Sequence, residues 1–220
     1  FHRAGSLGDW INAVQIVSKF PRVMIALYAS FAAPLLAIFD CPNFILDLCS
    51  RTSQGKTTTQ RLAGSVWGQP DERKTASVVQ TWDQTKVSVE RRLAILANLP
   101  LILDDTKRIK DVRQIAEILY TVASGQGRGR GSIQGIQTVL SWSTLLISSG
   151  EQRLTSFSND GGVKMRVLEI EGAQFGKQNT ETGKIVEALN FAVCQNYGHA
   201  GIAFMEWVIQ NRARWPEWKA

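Results

Sequence analysis

Histidine and cysteine are scarce in this sequence, and the scarcity rules out several kinds of site. The 220 residues include two histidines and three cysteines. The histidines, His2 and His199, lie at opposite ends of the chain, so no cluster of imidazoles is available for a metal centre. The cysteines are odd in number and form no C-x-x-C pair. Neither a disulfide framework nor a four-cysteine zinc site follows, and a reducing compartment fits best.

The sequence also lacks a hydrophobic run of the usual membrane-spanning length. Its longest uncharged run extends from Val23 to Phe39 and contains Pro34, whereas a spanning helix needs ~20 apolar residues. This pattern favours a helix buried beside a sheet, and we expect no membrane partner. The first residue is Phe1 and not Met, so we expect a piece of a longer protein.

What is present is typical of a globular α/β domain with an anionic partner. Hydrophobic residues make up 44% of the chain and charged residues 20%, which is an ordinary balance for a globular protein. The net charge of +6 and the pI of about 9.4 favour contact with phosphate-rich molecules.

Short apolar runs alternate with helical patterns along the chain. Four runs predict buried strands, at residues 44–49, 99–105, 144–149 and 165–170. Helices are predicted at 6–19, 21–39, 55–67, 86–98, 109–123, 180–197 and 200–213, and residues 71–82 are expected to be irregular. Such alternation predicts a parallel sheet covered by helices on both faces, with ligands at the carboxyl ends of the strands. We expect one core over residues 1–220, with helical segments at 1–43 and 180–220.

A glycine-lysine-threonine triplet follows the first predicted strand. Gly55, Lys56 and Thr57 match the end of the phosphate-loop pattern G-x-x-x-x-G-K-[ST] and open a predicted helix. Backbone N–H groups and the positive helix end converge there, so a phosphate chain would meet preformed donors. Lys56 would bridge the β- and γ-phosphates of ATP, and the Thr57 hydroxyl would bind Mg²⁺. The complete loop is assigned to nucleotide binding: Ser50, Arg51, Thr52, Ser53, Gln54, Gly55, Lys56, Thr57 and Thr58.

Polar residues at the ends of later strands complete the predicted site. Asp104 would hold Mg²⁺, through water, and Asp105 would orient or deprotonate the attacking water. Ser149 ends the next strand and would contact the γ-phosphate or the water. Arg153 and Arg166 are candidates for an arginine that neutralises transition-state charge across a subunit boundary.

The most glycine-rich stretch of the chain follows the fifth predicted helix. Glycines at 125, 127, 129, 131 and 135 alternate with Arg128 and Arg130. Guanidinium groups pair well with phosphate. The stretch is predicted to be a basic loop or hairpin that contacts DNA, with a solvated turn as the alternative.

In sequence order, these motifs resemble a domain-of-unknown-function P-loop family carried by phages, plasmids and staphylococcal-cassette-type elements. The resemblance lies in SRTSQGKTTTQRLAGSVWG, LPLILDD, ASGQGRGRG, WSTLLISSGE, MRVLEIEGA and NYGHAG. Members are often labelled helicase-like and are similar to minichromosome-maintenance-type AAA+ ATPases. The resemblance implies an AAA+-like fold, ATP and Mg²⁺ as cofactors, single-stranded or forked DNA as partner, a homo-oligomer such as a hexamer, and a cytoplasmic, bacterial or phage-encoded protein.

Two positions depart from the family pattern. Ser50 stands where the family has glycine, and Asp105 stands where it has glutamate. A shorter carboxylate could leave the attacking water poorly aligned and slow hydrolysis. Three hypotheses therefore stay open. The first is a ring-forming, DNA-stimulated ATPase motor that serves as the replicative helicase of a mobile genetic element. The others are an ATP-binding switch with weak hydrolysis and a nucleic-acid-binding domain with a vestigial site.

Overall fold

A parallel sheet forms the centre of the fold and determines where the polar strand ends meet. The computed structural model describes residues 2–109, 111–129, 131–132, 135–136 and 139–219. Over these residues the strands are β1 (Phe44–Cys49), β2 (Val79–Thr81), β3 (Leu101–Asp104), β4 (Gly131–Ser132), β5 (Gly135–Ile136), β6 (Leu145–Gly150) and β7 (Val167–Glu171). Five of the strands described form one sheet in the order β2-β3-β6-β1-β7, and all its neighbouring pairs are parallel. The strands therefore end together along one side, here called the carboxyl edge, and begin along the opposite amino edge.

Helices cover both faces of this sheet. Their bounds are α1 (Leu7–Val17), α2 (Pro21–Phe39), α3 (Lys56–Ser65), α4 (Lys86–Leu96), α5 (Arg113–Ser124), α6 (Gly161–Lys164), α7 (Thr180–Gln195), α8 (Ala200–Gln210) and α9 (Trp215–Lys219). Successive strand residues point to opposite faces. Ile45 packs with α4 and α5, whereas Leu46 packs with α2 and α3. The predicted α/β fold with a helix-covered parallel sheet is confirmed.

Helix α2 occupies the place predicted from its apolar run. It is the one helix in the described part of the chain that is long and apolar enough to cross a membrane, judged by length and composition. Its small residues Ala26, Ala29 and Ala33 pack against strands β1 and β6. The Ser30 hydroxyl donates a hydrogen bond of 2.7 Å to the Ala63 carbonyl of α3. These contacts fix α2 beside the helix that follows the phosphate loop.

Two details of the structure correct the sequence prediction. Residues 71–82 are not irregular throughout, because Val79–Thr81 forms the edge strand β2 beside β3. A strand of three residues gives too short an alternation to be recognised. Helix α5 begins at Arg113 and not at 109, because a short 3₁₀ turn at Thr106–Arg108 follows β3. Val112 consequently lies outside the helix and is 52% exposed, although the pattern placed it on the inward face.

The described residues of the glycine-rich stretch after α5 form an antiparallel hairpin at the amino edge. Gln126 pairs with Ser141, and the short strands β4 and β5 pair further out. At its base, the Trp142 N–H donates to the Gly125 carbonyl over 3.0 Å. Asn43, directly before β1, donates from its side chain to the Val122 carbonyl over 2.9 Å. The hairpin is thereby anchored at the side of the sheet opposite the phosphate loop.

Candidate nucleotide-binding site

The loop between β1 and α3 has the backbone geometry of a phosphate-binding turn. Gly55 has a φ of 83° and Ser53 a φ of 63°, both in the left-handed region. A Cβ atom on Gly55 would lie 2.5 Å from the Phe175 ring, so this position requires glycine for space as well as for conformation. Hydrogen bonds from the Gln174 N–H to the Gln54 carbonyl and from the Gln178 amide to the Ser53 carbonyl hold the loop against the segment after β7. These contacts fix the loop at the N-terminus of α3, which is the positive end of the helix dipole.

Lys56 reaches back over this loop. Its Nζ donates to the Ser50 carbonyl at 2.6 Å and to the Arg51 carbonyl at 2.9 Å. Burial lowers the pKa of Lys56, and the negative charges of Glu151, Asp104 and Asp105 oppose that shift. An ammonium group held at the centre of the loop beside three carboxylates is placed to contact both a phosphate chain and its metal ion.

Thr57, Asp104 and Ser149 converge beside the lysine, as predicted. The Thr57 Oγ1 lies 3.3 Å from each Asp104 carboxylate oxygen. The buried Ser149 hydroxyl donates to Asp104 Oδ1 over 2.6 Å. Burial raises the pKa of Asp104, and the hydrogen bond from Ser149 counteracts this rise. Strands β3 and β6 are neighbours, so their carboxyl ends bring these side chains together.

This oxygen-rich group fits a magnesium ion. Within the described ranges, no group of three or more His, Cys, Asp or Glu side chains could hold a metal ion. Mg²⁺ needs no such cage in nucleotide sites, since one or two protein oxygens, waters and substrate phosphates complete its octahedron. The Thr57 hydroxyl and the Asp104 carboxylate are the two oxygen donors that would hold it.

Asp105 lies in the same cleft as Lys56 and Asp104, but its carboxylate contacts its own turn. The backbone of Asp105 has a φ of 61°, in the left-handed region that residues other than glycine adopt uncommonly, although aspartate does so more often than most. Its Oδ1 accepts from the Lys107 N–H at 3.2 Å, and Arg108 Nε lies 3.8 Å from Oδ2. The Asp105 N–H donates to the Ser149 hydroxyl over 3.0 Å. Ser149 therefore connects both aspartates to the neighbouring strand.

Sequence reasoning missed several charged residues of the cleft, which has a volume of about 540 Å³. Lys107, Arg108 and Glu72 line it together with the phosphate loop and the two aspartates. Lys107 Nζ lies 2.7 Å from Glu151, which also accepts a hydrogen bond from the Thr52 hydroxyl. The bond from Lys107, followed by that from Thr52, lowers the pKa of Glu151. For Lys107 and Arg108, the available signal was their position two and three residues after Asp105, whereas no sequence pattern pointed to Glu72.

The structure separates the other predicted arginines from the cleft. Arg153 lies at the carboxyl edge, pairs with Glu171 and borders a neighbouring depression that includes Ser50 and Arg51. Arg166 precedes β7, where its carbonyl accepts from the Ile45 N–H at 2.8 Å, so it lies at the amino edge. A role for either arginine in a neighbouring subunit's site stays a prediction.

Of the two predicted DNA-contacting arginines, the structure places Arg128 on the hairpin at the amino edge. Arg128 is exposed to solvent. Arg130 lies outside the residues that the structure describes.

The comparisons with known proteins agree with this architecture. The profile of the family described as "Domain of unknown function (DUF927)" matches residues 1–139. Among solved structures, a protein titled "SCCmec type IV Cch - active helicase" is similar, with a TM-score of 0.77 and 22% sequence identity over 97% of this chain. The chain spans 39% of the length of that protein. No curated protein sequence matches.

The family match covers more than half of the chain and includes the phosphate loop and both aspartates. The resemblance to a domain-of-unknown-function family is confirmed, while the relation to minichromosome-maintenance-type ATPases stays a prediction. The structural similarity establishes the shared fold. This chain therefore belongs to the DUF927 family.

Proposed function

We propose that this chain is the ATP-hydrolysing core of a motor that acts on DNA. The observation that carries the proposal is the convergence of Lys56, Thr57, Asp104 and Ser149 at the carboxyl edge of the sheet. In open α/β sheets, ligands bind at this edge. A strand, a glycine-containing loop and a helix N-terminus bind phosphate through backbone N–H groups and the helix dipole. The family motifs quoted above and the fold shared with a protein titled as an active helicase support the same assignment.

Each residue of the site then has a distinct role. Lys56 would exchange its bonds to the Ser50 and Arg51 carbonyls for the β- and γ-phosphate oxygens of ATP. Thr57 and Asp104 would hold Mg²⁺, which neutralises charge on the phosphates when bound. Ser149 would keep the Asp104 carboxylate aimed at the metal through its 2.6 Å hydrogen bond. Positioned groups of this kind account for most catalysis of phosphoryl transfer.

Asp105 is the proposed base, and its geometry also supports the main alternative function, an ATP-binding switch. The carboxylate would orient the attacking water after releasing the Lys107 N–H and Arg108. As it stands, both of its oxygens contact its own turn, and its side chain is one methylene shorter than glutamate. An ATP-binding switch with slow hydrolysis is favoured by this observation. Turnover of the Asp105→Glu variant distinguishes the motor from the switch.

The DNA contact is assigned to the hairpin that begins at Gly125. Arg128 is exposed there, and Arg130 follows it in sequence. The hairpin lies at the amino edge, so DNA and ATP would bind opposite sides of the same sheet. In a ring of identical subunits, we expect this segment to face the central channel, as the resemblance to minichromosome-maintenance-type ATPases implies. We propose a homo-oligomer, with a hexamer as the form implied by the family resemblance, acting in the cytoplasm of a bacterial host.

ATP turnover with and without single-stranded DNA, measured alongside the oligomeric state, tests this function. We expect DNA-stimulated turnover in the parent and its loss in Asp104→Asn. Equal turnover in the two proteins would reject the assignment of the site. Turnover that DNA does not change, together with no DNA binding, would favour the switch.

Substitution of both hairpin arginines by alanine tests the DNA contact separately. Each phosphate contact releases a counterion and contributes about 0.7 to the salt slope for single-stranded DNA, so removing both arginines should flatten the slope by about 1.4. We expect weaker binding to unrelated DNA sequences and unchanged turnover without DNA. Unaltered DNA affinity in the double variant would place the contact elsewhere on the surface.

A further inference from the structure

A second cavity adjoins the phosphate cleft on the side of α7. It has a volume of about 240 Å³ and lies between the phosphate loop, the segment after β7 and the first turns of α7. Ser53, Gln54, Gly55 and Val186 line both this cavity and the phosphate cleft. A ligand anchored on the loop can therefore extend from one space into the other across Gly55.

The two spaces differ in the charge of their linings. The phosphate cleft contains Lys56, Lys107, Arg108 and several carboxylates. The second cavity is lined by no charged side chain among the described residues. Its walls include Ala173, Phe175 and Val186, and its polar groups are amides and hydroxyls. A charged cleft continuous with a neutral one matches a ligand with a charged part joined to a neutral, flat part.

The positions of the metal-binding groups determine how such a ligand would lie. Thr57, Asp104 and Ser149 collect on the side of the loop facing β3 and β6, where the terminal phosphate and its metal belong. The loop N–H groups contact the inner phosphates. The nucleoside would then leave the loop on the opposite side, which is the side of the second cavity.

We propose that this cavity is the nucleobase subsite of the chain, an inference that rests on the proposed nucleotide-binding function. Apolar side chains contact the faces of the base, as in other sites that combine hydrophobic walls with a few polar groups. Gln178 lies at the rim and is held in place, because its amide donates to the Ser53 carbonyl over 2.6 Å. Its carboxamide would meet the hydrogen-bonding edge of the base. The site therefore selects nucleoside triphosphates over inorganic polyphosphate.

Gly183 offers a direct test because it lines the cavity from within α7. A Cβ atom built on Gly183 meets no atom within 4 Å, so a larger side chain fits the fold and occupies cavity space. Leucine also favours a helix more than glycine does. Gly8 in α1 is the matched control, since its added Cβ meets only the Ser6 hydroxyl, at 4.0 Å, and it lies outside both cavities.

The experiment compares ATP with inorganic tripolyphosphate, each titrated in the presence of Mg²⁺ into the parent, Gly183→Leu and Gly8→Leu. We expect Gly183→Leu to weaken ATP binding about tenfold, on the scale that stacking of one base contributes. Tripolyphosphate affinity should stay unchanged, and Gly8→Leu should resemble the parent for both ligands. Circular dichroism of the three proteins checks that α7 is retained.

The outcomes distinguish the subsite from the site as a whole. Unchanged ATP affinity in Gly183→Leu, or equal losses for ATP and tripolyphosphate, would overturn the nucleobase subsite while leaving the phosphate site intact. Failure of the parent to bind either ligand would reject the proposed function and the subsite together. Selective loss of ATP binding would support both.

Discussion

Replacing Ser149 by alanine should weaken the fold and the metal site together, because this one hydroxyl contacts both aspartates. It donates to Asp104 Oδ1 over 2.6 Å and accepts from the Asp105 N–H over 3.0 Å. Ser149 is fully buried, so water cannot replace either bond without rearrangement. A hydrogen bond to a charged group contributes about 1.5–3 kcal/mol, and a buried donor without a partner costs a similar amount. We expect the free energy of unfolding to fall by about 2–4 kcal/mol.

A double-mutant cycle isolates the bond to Asp104. The unfolding free energies of the parent, Ser149→Ala, Asp104→Asn and the double variant would be measured by urea denaturation at one pH. We expect a coupling of about 1 kcal/mol or more, since residues that share a hydrogen bond are not additive. Ser148→Ala is the matched control on the same strand, because its hydroxyl accepts from the Trp82 indole at 3.2 Å and does not contact Asp104. Additive losses for Ser149→Ala and Asp104→Asn would refute the reasoning.

Three further substitutions test separate parts of the account. Gly55→Ala should destabilise the fold by about 2–4 kcal/mol, because alanine is strained at a left-handed φ and its Cβ would clash with the Phe175 ring. Urea denaturation measures this loss, and an unchanged midpoint would contradict the observed loop geometry. Burial raises the pKa of Asp47 to about 7 from 3.8, so its contribution to stability is present below pH 3.8 and lost as pH rises to about 7. Asparagine does not titrate, so the free energy of unfolding of Asp47→Asn should rise by up to about 4 kcal/mol relative to that of the parent between these pH values. A difference between the two proteins that does not change with pH would mean that Asp47 has an ordinary pKa. Asp105→Glu should raise ATP turnover several-fold with little change in ATP binding, and a loss of turnover would mean that the site is built around aspartate.

The sequence predicted those parts of the site that depend on local patterns. Gly55, Lys56 and Thr57 follow a strand and open a helix, so their backbone arrangement follows from neighbouring residues. Asp104 could be placed because parallel strands end at one edge of a sheet. The same reasoning predicted that Ser149 would lie near Asp104, although not that its hydroxyl contacts both aspartates.

The remaining features depend on contacts between distant segments or on very short elements. Strand β2 has three residues and pairs only at the edge of the sheet, so its alternation is too brief to stand out. The ion pair between Lys107 and Glu151 joins two loops whose approach is set by the packing of β3 against β6. Asp47 was counted within an apolar strand, and its full burial follows from the covering segment at Leu154, whose N–H donates to it at 3.0 Å. No local pattern carries that information.

The central claim is that Lys56 binds the phosphates of ATP, and calorimetric titration of ATP with Mg²⁺ into Lys56→Ala tests it most directly. Truncating one partner of a buried charged contact costs about 2–5 kcal/mol, so ATP binding should weaken by about 30-fold or more. Circular dichroism should stay unchanged, because Lys56 contacts only carbonyl groups of its own loop through hydrogen bonds. Lys164→Ala, at the end of α6 and outside the cleft, is the control and should bind ATP like the parent. ATP affinity in Lys56→Ala equal to that of the parent would contradict the assignment of the nucleotide site.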